Sequence, residues 1–238
     1  MATGERRGSA RTAVVWDALD PLLAGAPQDV LDIGGGTGGF AVRVAGLGHR
    51  VTVVDPSPDA LAALGRRARE AGVEVTGRQG DLADLATVAA PRSADLVLCH
   101  GVLEVVDPAD ALARIREVLR PGGRLSLLVA GRHAAVVARA LAGHFQQAKA
   151  LLDGEDPVSR TGGRGARRFT VEEVRGLLEA AGFTVRAAHA VRVFTDLVPG
   201  SLLDLEPGSG AALTELERAV AGRPEYLPLA TQLHLLAD

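Results

Sequence analysis

The sequence predicts an α/β fold: a doubly wound, mostly parallel sheet of seven strands, with an N-terminal helix and inserted lid segments. The first observation is that short apolar segments alternate with segments of helical periodicity along most of the chain. The second is the apolar run at residues 94–99, which is typical of a parallel strand buried on both faces. The third is that the connections are short, and strand–helix alternation with short connections is typical of doubly wound sheets.

The first predicted element is a helix over residues 10–25, because Val14, Ala18 and Leu22 recur near helical spacing and a Gly-Ala-Pro turn follows. Predicted strands follow at residues 29–33, 51–54, 73–76, 94–99, 124–130, 183–194 and 231–236.

Helix boundaries are predicted from capping residues. Ser57 is an N-cap with Pro58 at the first helical position, and a further helix is predicted at residues 108–119. Thr170 and Glu173 form a capping box, and Gly182 ends the helix that they begin.

Two stretches do not fit the core. Residues 131–169 are inserted after the fifth strand, and residues 196–228 form a second excursion with a helix near 211–221. Both leave the sheet at the edge where such folds bind ligands, so we predict that they form a lid and the walls of the substrate site.

Length and composition narrow the class of protein. A chain of 238 residues is long enough for one α/β domain, so we predict a single domain over residues 1–238. The formal net charge of −3 is mild evidence against tight non-specific binding to nucleic acid. The single cysteine, Cys99, excludes an internal disulfide and a multi-cysteine zinc site, and no metal site is predicted. No run of 18 apolar residues occurs, and a cytoplasmic location without a membrane partner is expected.

The strongest functional signal is the glycine turn Gly34-Gly35-Gly36 at the end of the first strand. Without side chains, the backbone can contact a ligand, and the next helix can direct its N-terminus at it. Gly34, Gly36 and Gly39 also satisfy the dinucleotide fingerprint G-x-G-x-x-G. The turn alone therefore leaves NAD, S-adenosylmethionine (SAM) and a purely structural role open.

Three acids refine this interpretation. Asp55 ends the second strand, about 20 residues past the glycines, where an acid accepts ribose hydroxyls. Asp81, after the third strand, is placed to accept from an adenine amino group or, alternatively, to cap the segment that follows it. Asp32 is costly to bury without a cation or N–H donors, so it is predicted to meet the amino group of SAM, to brace the glycine turn, or both.

Over residues 29–130, including the turn Leu119-Arg120-Pro121-Gly122-Gly123, the chain resembles the class I SAM-dependent methyltransferases. The resemblance implies a Rossmann-like methyltransferase fold with SAM as cofactor.

A closer resemblance, to the tRNA carboxymethoxyuridine methyltransferases (the CmoM, formerly SmtA, branch), extends across most of the chain. It is carried by Gly8-Ser9-Ala10-Arg11 with Trp16, His100-Gly101-Val102-Leu103-Glu104, Leu125-Ser126-Leu127, Val191-Arg192-Val193-Phe194 with Asp196, and Leu216-Glu217 with Pro224-Glu225-Tyr226. It implies that Arg11 binds the methionine carboxylate of SAM. The pocket that it implies is completed by Gly34, Gly35, Gly36, Asp55, Gly80, Asp81 and His100.

The chain departs from that branch on the substrate side. Val105-Val106 replaces an aromatic residue, and Ala130-Gly131-Arg132-His133 replaces an aromatic–asparagine pair. The family's lysine run becomes the sparser arginines Arg160, Arg164, Arg167 and Arg168, which are candidate tRNA contacts or a solvated loop. Arg132 and Arg192 are further candidate partners for a phosphate or carboxylate.

Three functions follow from these observations. The first is methylation of a carboxylate on a modified tRNA wobble uridine, and the second is O- or N-methylation of a small molecule. The third, an NAD-dependent oxidoreductase, lacks a Tyr-x-x-x-Lys pair, since Tyr226 is the only tyrosine. A carboxylate nucleophile needs no general base, whereas a phenol or amine does, and His100 is the only candidate. No catalytic residue is assigned.

Overall fold

The computed structural model describes residues 2–154, 167–205 and 207–238. The strands in these residues are β1 (Asp29–Ile33), β2 (Arg50–Asp55), β3 (Thr76–Gln79), β4 (Ala94–His100), β5 (Leu119–Ala130), β6 (Val185–Val191) and β7 (Gln232–Ala237). They form one seven-stranded sheet in the order β3-β2-β1-β4-β5-β7-β6. This order confirms the predicted doubly wound α/β fold.

Helices connect most of these strands. They are α1 (Ala2–Leu23), α2 (Ala41–Gly46), α3 (Pro58–Ala71), α4 (Leu85–Val88), α5 (Pro108–Val118), α6 (Arg132–Leu141), α7 (Phe145–Leu152), α8 (Val171–Ala180), α9 (Gly200–Leu205) and α10 (Ser209–Ala221), with a 3₁₀ helix at Pro224–Leu229. No helix in the described part of the chain is both long and apolar enough to cross a membrane.

The centre of the sheet is parallel. β1 pairs with β2 and β4 in parallel, so that Asp32 lies opposite Val53 on one side and Leu98 on the other. β4 continues in parallel to β5, and β2 to β3. Next to β6 and β7, Thr184 and Asp238 exchange two backbone hydrogen bonds of 2.8 and 3.1 Å, which is an antiparallel pairing. The carboxyl ends of β1, β2 and β4 therefore lie side by side.

Burial along β4 explains why this strand could be recognised from the sequence. Leu96, Val97, Leu98 and Cys99 are at most 1% exposed. Such consecutive burial requires cover on both faces of the sheet, as the apolar run at residues 94–99 predicts.

Four predicted boundaries were wrong. The fifth strand, expected from residue 124, already begins at Leu119. The third strand was expected at residues 73–76 but is Thr76–Gln79, an edge strand whose four residues are all exposed and therefore carry no apolar pattern. The strand predicted at 183–194 spans only Val185–Val191, because Arg192 adopts a left-handed φ of 60°. The leading helix, expected from residue 10, already begins at Ala2.

Both predicted capping patterns are confirmed. The Ser57 hydroxyl accepts a hydrogen bond from the Ala60 N–H at 3.2 Å, with Pro58 in the first turn. Thr170 and Glu173 exchange the two bonds of a capping box, at 2.9 and 3.3 Å. These local bonds determine where α3 and α8 begin.

The chain divides into two compact units. The first unit comprises the described residues of Met1–Pro21, Val129–Val174 and Ala187–His234, and the second comprises Leu22–Leu128, Arg175–Arg186 and Leu235–Asp238. The described parts of both predicted excursions belong to the first unit, and the glycine turn belongs to the second. That the whole chain acts as a single domain stays a prediction.

Candidate functional site

The glycine turn links β1 to α2 in a conformation that side chains oppose. Gly34 and Gly36 have left-handed φ angles of 69° and 55°, which glycine adopts at little cost. A methyl group at Gly34 would lie 2.6 Å from a methyl group of Val102. The Gly34 N–H donates to the Val54 carbonyl at 2.8 Å and so ties the turn to β2. The turn thus presents bare backbone at the carboxyl edge of the sheet.

Asp55, the last residue of β2, holds this turn in place. Its side chain is buried; Oδ2 accepts a hydrogen bond from the Gly36 N–H at 2.9 Å, and Oδ1 accepts one from the Ser57 N–H at 2.9 Å. Each carboxylate oxygen has a second lone pair for a ligand hydroxyl. The sequence offered Asp32 a role in bracing the glycine turn; the hydrogen bond that braces the turn is donated by the Gly36 N–H to the carboxylate of Asp55.

Asp32 is a buried acid, 3% exposed, near the end of β1. Burial raises the pKa of Asp32 to about 7, and the negative charge of Asp55 contributes to the same shift. Its carboxylate lies against the backbone of Gly35, where an added Cβ would be 2.5 Å from Oδ2. No salt bridge reaches this carboxylate from the residues that the structure describes. A buried acid without a countercharge fits an incoming ammonium group.

Gly80 and Asp81 follow β3. The Gly80 N–H donates to the Asp55 carbonyl at 3.2 Å, which brings this segment to the end of β2. Asp81 is exposed, and its Oδ1 accepts from the N–H groups of Ala83 and Asp84 at 2.7 and 3.3 Å. Asp81 therefore makes the capping contact that the sequence offered as an alternative. Both bonds use Oδ1, so Oδ2 can still accept from another donor.

His100, at the carboxyl end of β4, is held by packing. Its Nε2 lies 2.9 Å from the Ser126 hydroxyl, and its ring meets the edge of Phe40 with centroids 4.8 Å apart. Burial lowers the pKa of His100 to about 4, so the imidazole is neutral at pH 7. A neutral ring can take part in hydrogen bonding to a ligand, but with this pKa it is a weak base.

Arg11 belongs to the first unit, whereas the other predicted cofactor residues belong to the second. Its guanidinium pairs with Asp196 Oδ1 at 3.2 Å, and its side chain is 47% exposed. The other oxygen of Asp196 pairs with Arg192 at 2.5 Å. The carboxylate of Asp196 is therefore neutralised by two arginines.

Glu217 is a structural residue that sequence reasoning missed. It is fully buried on α10 and accepts four hydrogen bonds, from the N–H groups of Val193, Phe194 and Thr195 and from the Thr195 hydroxyl, at 2.6 to 2.9 Å. The signal was present, because Glu217 falls on the same helix face as the buried Leu213 and Val220. One carboxylate thus determines the path of the loop after β6.

The candidate substrate arginines differ in their surroundings. Arg132 pairs with Glu173 at 2.8 Å, and Arg192 pairs with Asp196. Arg167 is exposed, and Arg168 lines a cavity in the first unit. Arg160 and Arg164 lie outside the described residues.

The fold and this site define the class of protein: a doubly wound α/β protein, a class that binds ligands in the crevice at the carboxyl ends of its strands. A methyltransferase-domain family matches residues 30–123. A tRNA 5-carboxymethoxyuridine methyltransferase of Escherichia coli (strain K12) is 32% identical, over 98% of this chain and 90% of that protein. A ubiquinone biosynthesis O-methyltransferase of Xanthomonas euvesicatoria is 37% identical over 56% of this chain and 54% of its own length.

Solved structures show the same fold. Geranyl diphosphate C-methyltransferase from Streptomyces coelicolor, in complex with S-adenosyl-L-homocysteine, aligns with a TM-score of 0.61 at 17% identity over 95% of this chain and 78% of that chain. A SAM-dependent methyltransferase from Mesorhizobium loti aligns with a TM-score of 0.60 at 21% identity, over 96% and 99% of the two chains.

The chain belongs to the class I SAM-dependent methyltransferases, and SAM is its cofactor. Within that family it resembles the tRNA carboxymethoxyuridine methyltransferase branch over nearly its whole length. The ambiguity of the glycine turn between NAD and SAM is thereby decided for SAM.

Proposed function

We propose that the chain transfers the methyl group of SAM to the carboxylate of a modified uridine at the wobble position of tRNA. The observation that carries the proposal is the extent of the similarity. The match to the Escherichia coli tRNA enzyme covers 98% of the chain, including the first unit, whereas the match to the ubiquinone enzyme covers 56%. Similarity in the part of the chain outside its cofactor-binding half is evidence about which methyl acceptor the chain uses.

The residues of the second unit suit SAM. We assign the amino group of its methionine arm to Asp32, because this buried acid has no countercharge among the described residues. Gly34, Gly35 and Gly36 would lie against the ligand, and the remaining lone pairs of Asp55 would accept from the ribose hydroxyls. Asp81 would use Oδ2 for the adenine amino group. Gly80 and His100 would line the pocket.

An acidic acceptor agrees with the chemistry of the site. When bound, SAM supplies a methyl group on a positively charged sulfur, which a carboxylate oxygen can take while the sulfur keeps the electron pair of the broken bond. A carboxylate has no proton to lose, so it needs no general base. His100, the candidate base that the sequence offers, has a pKa lowered by burial to about 4 and is poorly matched to deprotonating a phenol or an amine. The protein would act by alignment and exclusion of water.

A small-molecule acceptor is the second candidate, and one observation favours it. The first unit contains a cavity of about 340 Å³ with mostly apolar walls, a volume that suits a small ligand.

One assay separates the two candidates. The purified chain is incubated with SAM and either bulk tRNA that carries 5-carboxymethoxyuridine or an unmodified transcript, and the digested nucleosides are analysed by mass spectrometry. We expect a methyl ester on the modified uridine of bulk tRNA and no product from the transcript. An unchanged nucleoside profile, from protein that binds SAM in calorimetry, would overturn the tRNA proposal.

A further inference from the structure

We infer that Arg114 of α5 positions Asp81 for the adenine ring of SAM and so helps the protein to distinguish adenine from other bases. This inference rests on the proposed function in one respect, because it takes Asp81 to bind the adenine amino group. It adds a positioning residue on a helix that contributes no predicted cofactor residue. The residues concerned all lie in the second unit.

The turn that carries Asp81 is tied to the sheet at its first residue. The Gly80 N–H donates to the carbonyl of Asp55, at the end of β2, over 3.2 Å. Oδ1 of Asp81 accepts from the N–H groups of Ala83 and Asp84 at 2.7 and 3.3 Å, and the Asp81 carbonyl accepts from the Asp84 N–H at 3.1 Å. The side chain of Asp81 is therefore fixed relative to the turn, and a shift of the turn also shifts Oδ2.

Arg114 holds this turn from the side of α5. Its Nη1 donates to the carbonyl of Ala83 at 3.2 Å, across 31 positions of the sequence. Ala83 thus accepts from the arginine through its carbonyl and donates to Asp81 through its N–H. No ion pair to Arg114 is found in the described ranges, so no carboxylate there competes with this carbonyl for the guanidinium. A charged donor also makes a stronger hydrogen bond than a neutral one.

The other anchors of the turn are apolar or lie further along the chain. Leu82 and Leu85 are 4% and 0% exposed, which anchors the side of the turn that faces the core. Arg78 of β3 donates to the carbonyl of Val88, at the far end of α4. Without Arg114 the turn would keep its apolar anchor and lose a bond that fixes its polar side.

A carboxylate oxygen can select adenine only from a fixed position. Adenine offers an amino group that donates to the carboxylate, whereas hypoxanthine carries a carbonyl at that place, which the carboxylate repels. We therefore expect the protein to bind S-adenosylhomocysteine about tenfold or more tightly than S-inosylhomocysteine, because a hydrogen bond to a charged group has at least that effect. If the turn could move, Oδ2 would withdraw from the carbonyl and hold the amino group less well. The preference for adenine would then fall.

Calorimetry on the full chain tests this inference by measuring the affinities for S-adenosylhomocysteine and S-inosylhomocysteine, neither of which carries a methyl group to transfer. Arg114→Ala removes the donor and introduces a residue that favours a helix. We expect the preference for the adenine ligand to fall to about threefold or less in this variant. Arg114→Lys, which retains a charged donor, should keep most of the preference. Arg69→Ala, at an exposed position of α3 in the same unit, should behave as wild type.

A purely structural role for Arg114 predicts a different result. Loss of stability alone would weaken binding of both ligands by the same factor and leave the preference unchanged, and urea unfolding of Arg114→Ala measures that loss separately. An unchanged preference in Arg114→Ala would overturn the inference. So would an equal loss of preference in Arg69→Ala, since the effect would then not depend on the bond to Ala83.

Asp81→Asn separates failure of this inference from failure of the proposed site. Its amide can still accept through Oδ1 and then presents an N–H in place of Oδ2, so the preference should shift toward the hypoxanthine ligand. If Asp81→Asn changes the preference and Arg114→Ala does not, the role of Arg114 alone is refuted. If neither changes it, or if wild type shows no preference, the adenine assignment of Asp81 fails as well. No methyl acceptor takes part in these measurements, so none of these results refutes the tRNA proposal.

Discussion

The carboxylate of Asp55 accepts a hydrogen bond from the backbone N–H of Gly36 at 2.9 Å, so the residue proposed to bind ribose also shapes the turn that would receive the cofactor. Asp55→Ala should therefore abolish detectable SAM binding and also reduce the free energy of unfolding by about 2–4 kcal/mol, because two backbone N–H groups lose a charged acceptor. Calorimetric titration with SAM and urea unfolding measure the two effects separately.

Asp59→Ala is the matched control for Asp55→Ala. Asp59 lies four residues further along the chain and is exposed in the first turn of α3. We expect its replacement to leave SAM affinity unchanged and to alter stability by no more than about 0.5 kcal/mol. If Asp55→Ala bound SAM as well as Asp59→Ala does, the proposed ribose position would be wrong.

The raised pKa of Asp32 predicts that the affinity for SAM depends on pH. Burial raises the pKa of Asp32 to about 7 in the free protein, so below this pH the group is largely protonated. An ammonium group beside it favours the ionised form, and binding then releases a proton. SAM affinity should rise by up to about tenfold per pH unit between pH 5 and 7 and level off above pH 7. Calorimetry in buffers of different ionisation enthalpy counts the proton released.

Two controls isolate this effect. Asp32→Asn should bind SAM weakly and without the pH dependence, since its amide does not titrate. 5′-Methylthioadenosine, which lacks the amino acid arm, should bind the wild-type protein with an affinity that changes little between pH 5 and 7. A pH slope that persists in Asp32→Asn would show that another group is responsible.

The fold and the cofactor turn were predictable because their signals are local. A buried parallel strand requires consecutive apolar residues, and a left-handed turn requires glycine, so β4 and the turn at Gly34 stand out in the sequence. The caps at Ser57 and Thr170 are equally local, because each bonds to a residue three positions away. Such features depend on neighbours in the chain and need no knowledge of the tertiary structure.

Other features depend on distant contacts and were missed or misplaced. The carboxylate of Asp55, at the end of β2, accepts a hydrogen bond from the N–H of Gly36, which follows β1. Glu217 accepts hydrogen bonds from the N–H groups of a loop that lies more than 20 residues away in the sequence. Nothing in the local pattern distinguishes such acids from solvent-exposed ones, except that Glu217 lies on an apolar helix face. The edge strand β3 was misplaced for the opposite reason, since its exposed residues leave no periodic signal.

Among the described acids of the first unit, Glu217 should be the one whose replacement lowers the free energy of unfolding most. Glu217→Ala removes the acceptor of four hydrogen bonds and leaves buried N–H groups of Val193 and Thr195 unsatisfied. The expected loss in free energy of unfolding is at least about 3 kcal/mol. Urea denaturation measures it. Glu215→Ala on the same helix, whose side chain is 71% exposed and pairs with Arg218, should cost no more than about 0.5 kcal/mol. Equal losses in the two variants would contradict the role assigned to Glu217.

The ion pairs that Asp29 makes at the amino end of β1 predict that the folded protein loses stability at low pH. The hydrogen bond from Arg50, at 2.6 Å, lowers the pKa of Asp29 to about 2, with a further contribution from Arg120 at 2.8 Å, while burial opposes the shift. Because the folded-state pKa lies below the ordinary value, this contribution is fully present above about pH 5 and is lost as the pH falls from about 4 to 2. These side chains remain partly in water, so the contribution should be about 1 kcal/mol.

Urea unfolding of wild type and Asp29→Asn at pH 5 and pH 2.5 tests this prediction. Wild type should be more stable than Asp29→Asn at pH 5, and the difference should shrink at pH 2.5, because protonation of Asp29 removes the same charge that the substitution removes. Glu70→Gln, at an exposed position of α3, provides a control for the general effect of removing one acid. A difference between wild type and Asp29→Asn that stays constant over this range would show that the pairing with Arg50 and Arg120 does not couple to the ionisation of Asp29.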